Sequence, residues 1–246
     1  MSFNTNMPFD NVYEDDRRAE AYDQLEFPGT YYLAFRDLPA LFKQHITGKA
    51  ALDFGCGAGR STRFLKQLGY ETIGIDIAED MLRRARTRDP EGSYLLLRDD
   101  EMSELADQQF DLIFSAFTFD NIPTDKQKLT LFKALAQRLT HEGKLVNLVS
   151  SPEIYTHEWA SFTTKEFPEN KRAQSGDAVK IVMTDVEDNR PVIDVVWSDE
   201  AYRDLYTRSG LTLVLRHAPL GHSDEPYHWV SETTVAPWVI YILDRV

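Results

Sequence analysis

Between residues 49 and 150 the chain alternates short apolar runs with helical stretches, and this alternation limits the fold more than any other feature. "KAALDFG", "ETIGIDI", "SYLLLRD", "FDLIFSAF" and "KLVNLVSS" read as strands. "RSTRFLKQLG" has helical periodicity and stops at Gly69. "AEDMLRRARTRD" is helical up to Pro90. "TDKQKLTLFKALAQRLTHEG" opens with Thr124 and Gln127 at capping-box spacing and is expected to run to Gly143. Strands that are apolar at successive positions are buried on both faces. Joined by helices they lie parallel, which predicts an α/β, doubly wound sheet. Ligands of such sheets sit in the crevice beyond the carboxyl ends of the strands.

Outside that stretch the rhythm changes. Residues 1–47 contain helical stretches in "EDDRRAEAYDQL" and "YLAFRDLPALFKQHI" and are expected to form an N-terminal helical cap. Residues 177–197, "DAVKIVMTDVEDNRPVIDVVW", alternate like a β-hairpin about a polar turn. They belong to an insertion, 151–197, expected to close over the crevice as a β-hairpin lid. "SDEAYRDLYTRSG" reads as a helix with Ser198 as N-cap and Gly210 past its end. "LTLVLRHAPL" and "APWVIYILDRV" follow with no helix between them. They are therefore expected to be antiparallel neighbours, the last of seven strands being reversed. The 246 residues are expected to form one domain, with its core at 48–150 and its last helix and two closing strands at 198–246.

Charge narrows the partners. The 40 acidic and 27 basic residues leave a net charge of −13, which repels nucleic acid and anionic membrane alike. The densest basic segment, "RRARTR" (83–88), falls on a predicted helix and reads as a solvated face. The single cysteine, Cys56, precludes an internal disulfide. The first 30 residues contain no unbroken apolar stretch of signal-peptide length, and no apolar run approaches the ~20 residues of a membrane span. A cytoplasmic protein with no nucleic-acid and no membrane partner is expected; the oligomeric state, a homodimer included, is left open. No His, Asp or Glu grouping has metal-ligand spacing, so no metal is expected.

The loop "DFGCGAGR" (53–60) joins the first strand to the first core helix. Its glycines, Gly55, Gly57 and Gly59, permit a sharp turn and a close approach of backbone to ligand. The helix N-terminus behind it suits an anion. A dinucleotide fingerprint needs G-x-G-x-x-G, and here Arg60 stands where the third glycine belongs. Asp53 would also repel a pyrophosphate. A ligand bearing an amino acid fits better, its carboxylate on the N–H groups and its ammonium on Asp53; S-adenosylmethionine has both. Asp76, 21 residues beyond Gly55, ends the second strand, where an acid can hold both ribose hydroxyls. Asp99 could accept from an adenine amino group while the N–H of Asp100 serves a ring nitrogen; alternatively either caps the following helix. Ile77 and Met81 would sandwich the adenine.

"ALDFGCGAGRSTRFLKQLGYETIGIDIAEDML", "FDLIFSAFTFDNI" and "LTHEGKLVNLV" together resemble the class I S-adenosylmethionine-dependent methyltransferases. The resemblance covers roughly residues 48–150. It implies a Rossmann-like sheet of order 3-2-1-4-5-7-6 and an in-line transfer of methyl from sulfur to a nucleophile. It also implies backbone contacts from Cys56, a cofactor-contacting aromatic at Tyr22, and a place in the cofactor set for Ala116.

For the acceptor, three segments are expected to frame the carboxyl edge: the N-terminal segment, the insertion and the turn 221–234. His157, His222 and His228 are candidates to remove a proton from a phenol or alcohol acceptor. Tyr31, Tyr32 and Trp229 are candidates to line its pocket. Phe119, Asp120 and Asn121 follow the fourth strand and are candidates to reach the acceptor. "SAFTFDNIP" lacks the Asn/Asp–Pro–Pro–aromatic arrangement of enzymes that methylate nucleic-acid amino groups. The expectation is thus methylation of a small molecule on O or N. The alternatives are a binder of the same cofactor without transfer, an enzyme that modifies protein, and a nicotinamide-dependent oxidoreductase, which the missing third glycine opposes.

Overall fold

The computed structural model describes residues 28–98, 102–186 and 190–246. Two short helices come first, α1 (Thr30–Arg36) and α2 (Leu38–His45). Then β1 (Ala50–Phe54), α3 (Arg60–Gln67), β2 (Glu71–Asp76), α4 (Glu79–Arg88), β3 (Ser93–Leu96), β4 (Phe110–Ala116), α5 (Asp125–Gln137) and β5 (Leu139–Ser150) alternate as expected. The insertion carries β6 (Phe162–Thr163), β7 (Ala178–Met183) and β8 (Val192–Val195). The chain closes with α6 (Asp199–Arg208), β9 (Leu211–His217) and β10 (Trp238–Arg245).

The main sheet has the order β3-β2-β1-β4-β5-β10-β9. Strands β1 to β5 pair in parallel, and β10 runs antiparallel to both β5 and β9. With β9 and β10 counted as sixth and seventh, this is the expected order and reversal. Alternation along the strands builds two cores. Leu112, Phe114, Val146 and Leu148 pack on one face with α1, α2 and the insertion. Ile113, Leu145 and Val149 pack on the other with α5 and α6. Each fully buried Leu or Phe contributes roughly 1.5–3 kcal/mol.

Three differences from the sequence reading have local causes. The stretch "YLAFRDLPALFKQHI" is two helices broken at Asp37, because Pro39 in the first turn of α2 has no N–H to continue α1. Helix α5 keeps its Thr124 cap, with Gln127 N donating to Thr124 Oγ1 at 3.2 Å, but ends at Gln137, short of Gly143. Leu139 is already paired with Phe110, with a register shift in the β4–β5 ladder, and Thr140 Oγ1 donates to Asp111 Oδ1. Sheet pairing outweighs helical periodicity there. The predicted hairpin exists as β7 and β8, and β6 adds a third antiparallel strand.

The outer segments are tied together at Glu232, which has no exposed surface. Its Oε1 accepts from Thr30 Oγ1 at 2.6 Å and Ala160 N at 2.7 Å. Its Oε2 accepts from Val230 N at 2.8 Å and Ser231 N at 3.1 Å. One carboxylate thus joins α1, the insertion and the turn before β10. A second tie is Arg36, which donates to Asp37 and to Glu225, each at 2.7 Å; His217 Nε2 lies 2.7 Å from Asp37 Oδ2.

Candidate active-site cavity

The β1–α3 loop forms the floor of a cavity of about 230 Å³ at the carboxyl ends of β1, β2 and β4. Gly55, Gly57 and Gly59 have φ of 74°, 51° and 78°, a region that strains any side chain. A Cβ at Gly55 would overlap the Thr118 hydroxyl, and one at Gly59 would lie 2.6 Å from the Tyr94 hydroxyl. At Gly57 only Met81 Cε is near, at 3.3 Å. Gly55 and Gly59 therefore serve packing, and Gly59 does not reach the cavity wall. The missing side chain of Gly57 opens the floor.

Four of the loop's amides are engaged within the fold. Gly55 N and Cys56 N donate to Ile75 O, Gly59 N to Cys56 O, and Gly57 N to Asp76 Oδ2 at 2.8 Å. Ala58, Arg60 and Ser61, at the start of α3, line the cavity where an incoming carboxylate would sit. Arg60 lines the cavity, its guanidinium 5.2 Å from the Tyr31 ring centre and 5.6 Å from that of Phe35. In the sequence Arg60 reads only as an absent glycine.

Asp76 stands on the cavity wall as expected. Its Oδ1 accepts from Ala78 N at 2.8 Å. Burial raises its pKa, and the N–H groups of Ala78, Gly57 and Ile77 act against that rise. A carboxylate has about four acceptor positions, so a pair of ribose hydroxyls can still be received. Cys56, Ile77 and Met81 also line the cavity. Ile77 is 56% exposed at the rim, and Met81 packs with Ala58 and Ala78 below it, an apolar slot suited to a flat base. The Cys56 thiol is pushed well up by burial, which removes it as a nucleophile. These residues fit an adenosine-bearing ligand. Tyr22, Asp99 and Asp100 lie outside the described residues.

Asp53 departs from its expected direct contact. It has no exposed surface and is absent from the cavity wall. Its Oδ2 accepts from Ser61 Oγ and Thr62 Oγ1, each at 2.6 Å, and its Oδ1 is buried without a partner. The carboxylate underpins the α3 N-terminus from within. Burial, opposed by those two hydroxyls and aided by the charge of Asp76, pushes its pKa up to about 6.

The other end of the cavity begins where β4 stops. Ala116, Phe117, Asp120 and Asn121 all line it. Phe117 has φ of 63°, a strained conformation for a bulky side chain and of the kind found at sites. It packs on Trp238 at 4.8 Å and on Tyr31 at 5.7 Å. Phe119 instead turns into the opposite core and stacks on Phe132 at 3.9 Å, so its expected acceptor contact is not formed. Tyr31 lines the cavity. Tyr32 faces away, against Tyr227. Trp229 also stays off the wall, donating to His222 O at 3.0 Å.

None of the three candidate histidines lines the cavity. His157 Nδ1 lies 3.1 Å from both Glu153 O and Thr156 Oγ1, and His222 and His228 are exposed. The turn 221–234 clamps the cap and the insertion from outside, so its side chains do not reach the cavity wall. The titratable groups in their place are Asp120, Tyr155 and Asp194. Tyr155 OH donates to Asp194 Oδ2 at 3.0 Å, and Ser150 N donates to Asp120 Oδ2 at 2.9 Å. Burial raises both Asp120 and Tyr155. Lys128 is fully buried beneath them. Its ammonium donates to Phe119 O and lies 5.0 Å from the Trp197 ring centre. Burial lowers its pKa, opposed by the charges of Asp120 and Asp194.

These residues did carry signals. Lys128 occupies the first position of an i, i+3, i+4, i+7 apolar stripe with Leu131, Phe132 and Leu135. Asp194 sits at an inward position of β8, where Val192 is buried and Ile193 is exposed. Among the described residues, no three His, Cys, Asp or Glu side chains converge as a metal site requires, and no helix is long and apolar enough to cross a membrane.

A doubly wound sheet with a reversed last strand and a glycine-floored cavity defines the class I methyltransferase fold. Residues 52–147 match the family described as "Methyltransferase domain". The chain is 33% identical over 132 residues to trans-aconitate 2-methyltransferase of Afipia carboxidovorans, covering 53% of this chain and 48% of that protein. It is 32% identical over 104 residues to ubiquinone biosynthesis O-methyltransferase of Idiomarina loihiensis, covering 41% and 42%. The chain thus spans less than half the length of these relatives. A solved S-adenosylmethionine-dependent methyltransferase of Clostridium acetobutylicum shares the fold at a TM-score of 0.60, with 13% identity over 95% of this chain and 96% of that one.

Proposed function

We propose that the protein uses S-adenosylmethionine to methylate an oxygen or nitrogen of a small molecule by in-line displacement. The observation that carries this reading is a single cavity with two unlike ends. At one end Gly57, Asp76, Ile77 and Met81 match the parts of an adenosine-bearing ligand. Arg60 and the first turn of α3 take a carboxylate there, and Asp53 adds buried negative charge beneath them. At the other end, aromatic side chains and buried acids surround space for an acceptor. That end is walled by α1, the three-stranded sheet and β10, which suits a small molecule better than a protein segment. The names of both curated relatives refer to small molecules, in keeping with this reading.

When bound, the cofactor supplies a methyl group on sulfonium, a leaving group so good that alignment provides much of the rate. The chain's part is to fix that alignment and exclude water. Where the acceptor must lose a proton, the Tyr155–Asp194 pair and Asp120 stand on the wall to take it, in place of the expected histidines. Calorimetric titration with S-adenosylmethionine and S-adenosylhomocysteine tests the reading. Both are expected to bind, and Asp76→Ala to weaken them by ~1–3 kcal/mol through lost charge-assisted hydrogen bonds. Absence of binding by the unsubstituted protein would refute it.

A further inference from the structure

The acceptor end of the cavity is asymmetric in charge and rich in ring faces. Four of its aromatic residues touch one another: Tyr31 stacks on Trp238 at 5.5 Å, and Phe117 and Phe162 pack on both. Ring faces attract cations, more strongly where water is excluded. The Arg60 guanidinium already lies against the Tyr31 ring. Beside these rings the wall carries two carboxylates. Asp194 comes from β8 and Asp120 from the turn after β4, and β8 packs on that turn. Arg60 stands between the two ends, its backbone next to the glycine loop and its guanidinium against Tyr31. Lys128 is fully buried below the wall and does not line it. Among the described residues Arg60 is the one cation on the wall, so past it an anionic acceptor would meet two carboxylates, whereas a cationic one would meet carboxylates and ring faces together.

On the reading that the protein methylates a small molecule, we infer that the acceptor is a small amine, its nitrogen drawn to Asp194 and Asp120 and its apolar body held among Tyr31, Phe117, Phe162 and Trp238. The amine binds as ammonium and gives up one proton to a wall carboxylate. The freed nitrogen lone pair then forms the new N–C bond as the donor's S–CH3 bond breaks, its electron pair staying on sulfur. The methylated nitrogen is left positively charged and leaves as a cation, and the carboxylate returns its proton to water.

The test uses the full chain with S-adenosylmethionine carrying a deuterated methyl group and a protein-free metabolite extract. Labelled products are found by mass spectrometry and sorted by charge on ion exchangers. Label in a methylated amine is the expected result. Label confined to esters, ethers or carboxylates overturns this inference and leaves small-molecule methylation standing. Label in no small molecule overturns both. With the amine so found, Asp194→Asn keeps an acceptor for the Tyr155 hydroxyl but removes the charge. It is expected to raise KM for that amine at least tenfold, with S-adenosylhomocysteine affinity unchanged. An unchanged KM would count against the role of Asp194 in recognising the amine, and so against the inference.

Discussion

Replacing Glu232 by Gln removes one charge from the junction of three segments while keeping the side chain's size. In the native protein four donors converge on the carboxylate, two on each oxygen. A glutamine amide keeps one oxygen and presents an NH2 where the other stood. If the oxygen stays with Thr30 and Ala160, the N–H groups of Val230 and Ser231 face a donor and go unsatisfied. A hydrogen bond to a charged group contributes roughly 1.5–3 kcal/mol, so losing two predicts a loss of about 3–6 kcal/mol. Against a total stability of roughly 5–15 kcal/mol for a typical protein that is a large fraction. Glutamine is therefore the useful substitution and alanine, which orphans all four donors, is not. Urea denaturation of both proteins is the assay, with a lower midpoint and unchanged slope expected. A loss under ~1 kcal/mol would mean that the four contacts do not act as a buried charge-assisted junction.

Two further predictions concern buried charge. The Asp53 carboxyl, held up to about 6 mainly by burial, binds its proton more tightly in the folded state than in the unfolded chain, where it titrates near ~3.9. Its contribution is therefore full below about pH 4 and is lost as pH rises to about 6, some ~3 kcal/mol in all. The stability of wild type relative to Asp53→Asn should fall across that window, and a difference flat in pH would refute the assignment. Lys128→Met leaves Asp120 without its neighbouring cation and should cost about 3 kcal/mol or more, much of it regained in Lys128→Met/Asp120→Asn. Additive losses in that double-mutant cycle would show that the two groups are not coupled.

What could be read from the sequence was local. The strand order, the glycine loop, Asp76 and the Ser198 cap, to which Ala201 N donates at 3.2 Å, each rest on residues close together in the chain or at a fixed offset. The acceptor end is assembled from residues far apart: Tyr31, Asp120, Tyr155, Asp194 and Trp238 span more than 200 positions, and no spacing rule joins them. Histidine is chemically versatile, yet a loop's composition does not say which side faces inward. The turn 221–234 lies near the expected edge, but its contacts run to Thr30, Arg36 and Ala160. Asp53 is legible as part of the loop, but its contact is not. Only the fold shows Ser61 and Thr62, one helical turn on, closing over its carboxylate.

The reversal of β10 means that this strand meets the cavity with its first residue, Trp238, opposite Ser150 at the end of β5. One chamber is thereby written by separate stretches of chain: residues 50–81 shape the donor side, and residues 150–238, joined by α1 and 116–122, the receiving side. Substitutions in the second stretch can retune which molecules are admitted while the first goes on gripping the same methyl donor, so chemistry and selectivity are free to vary independently.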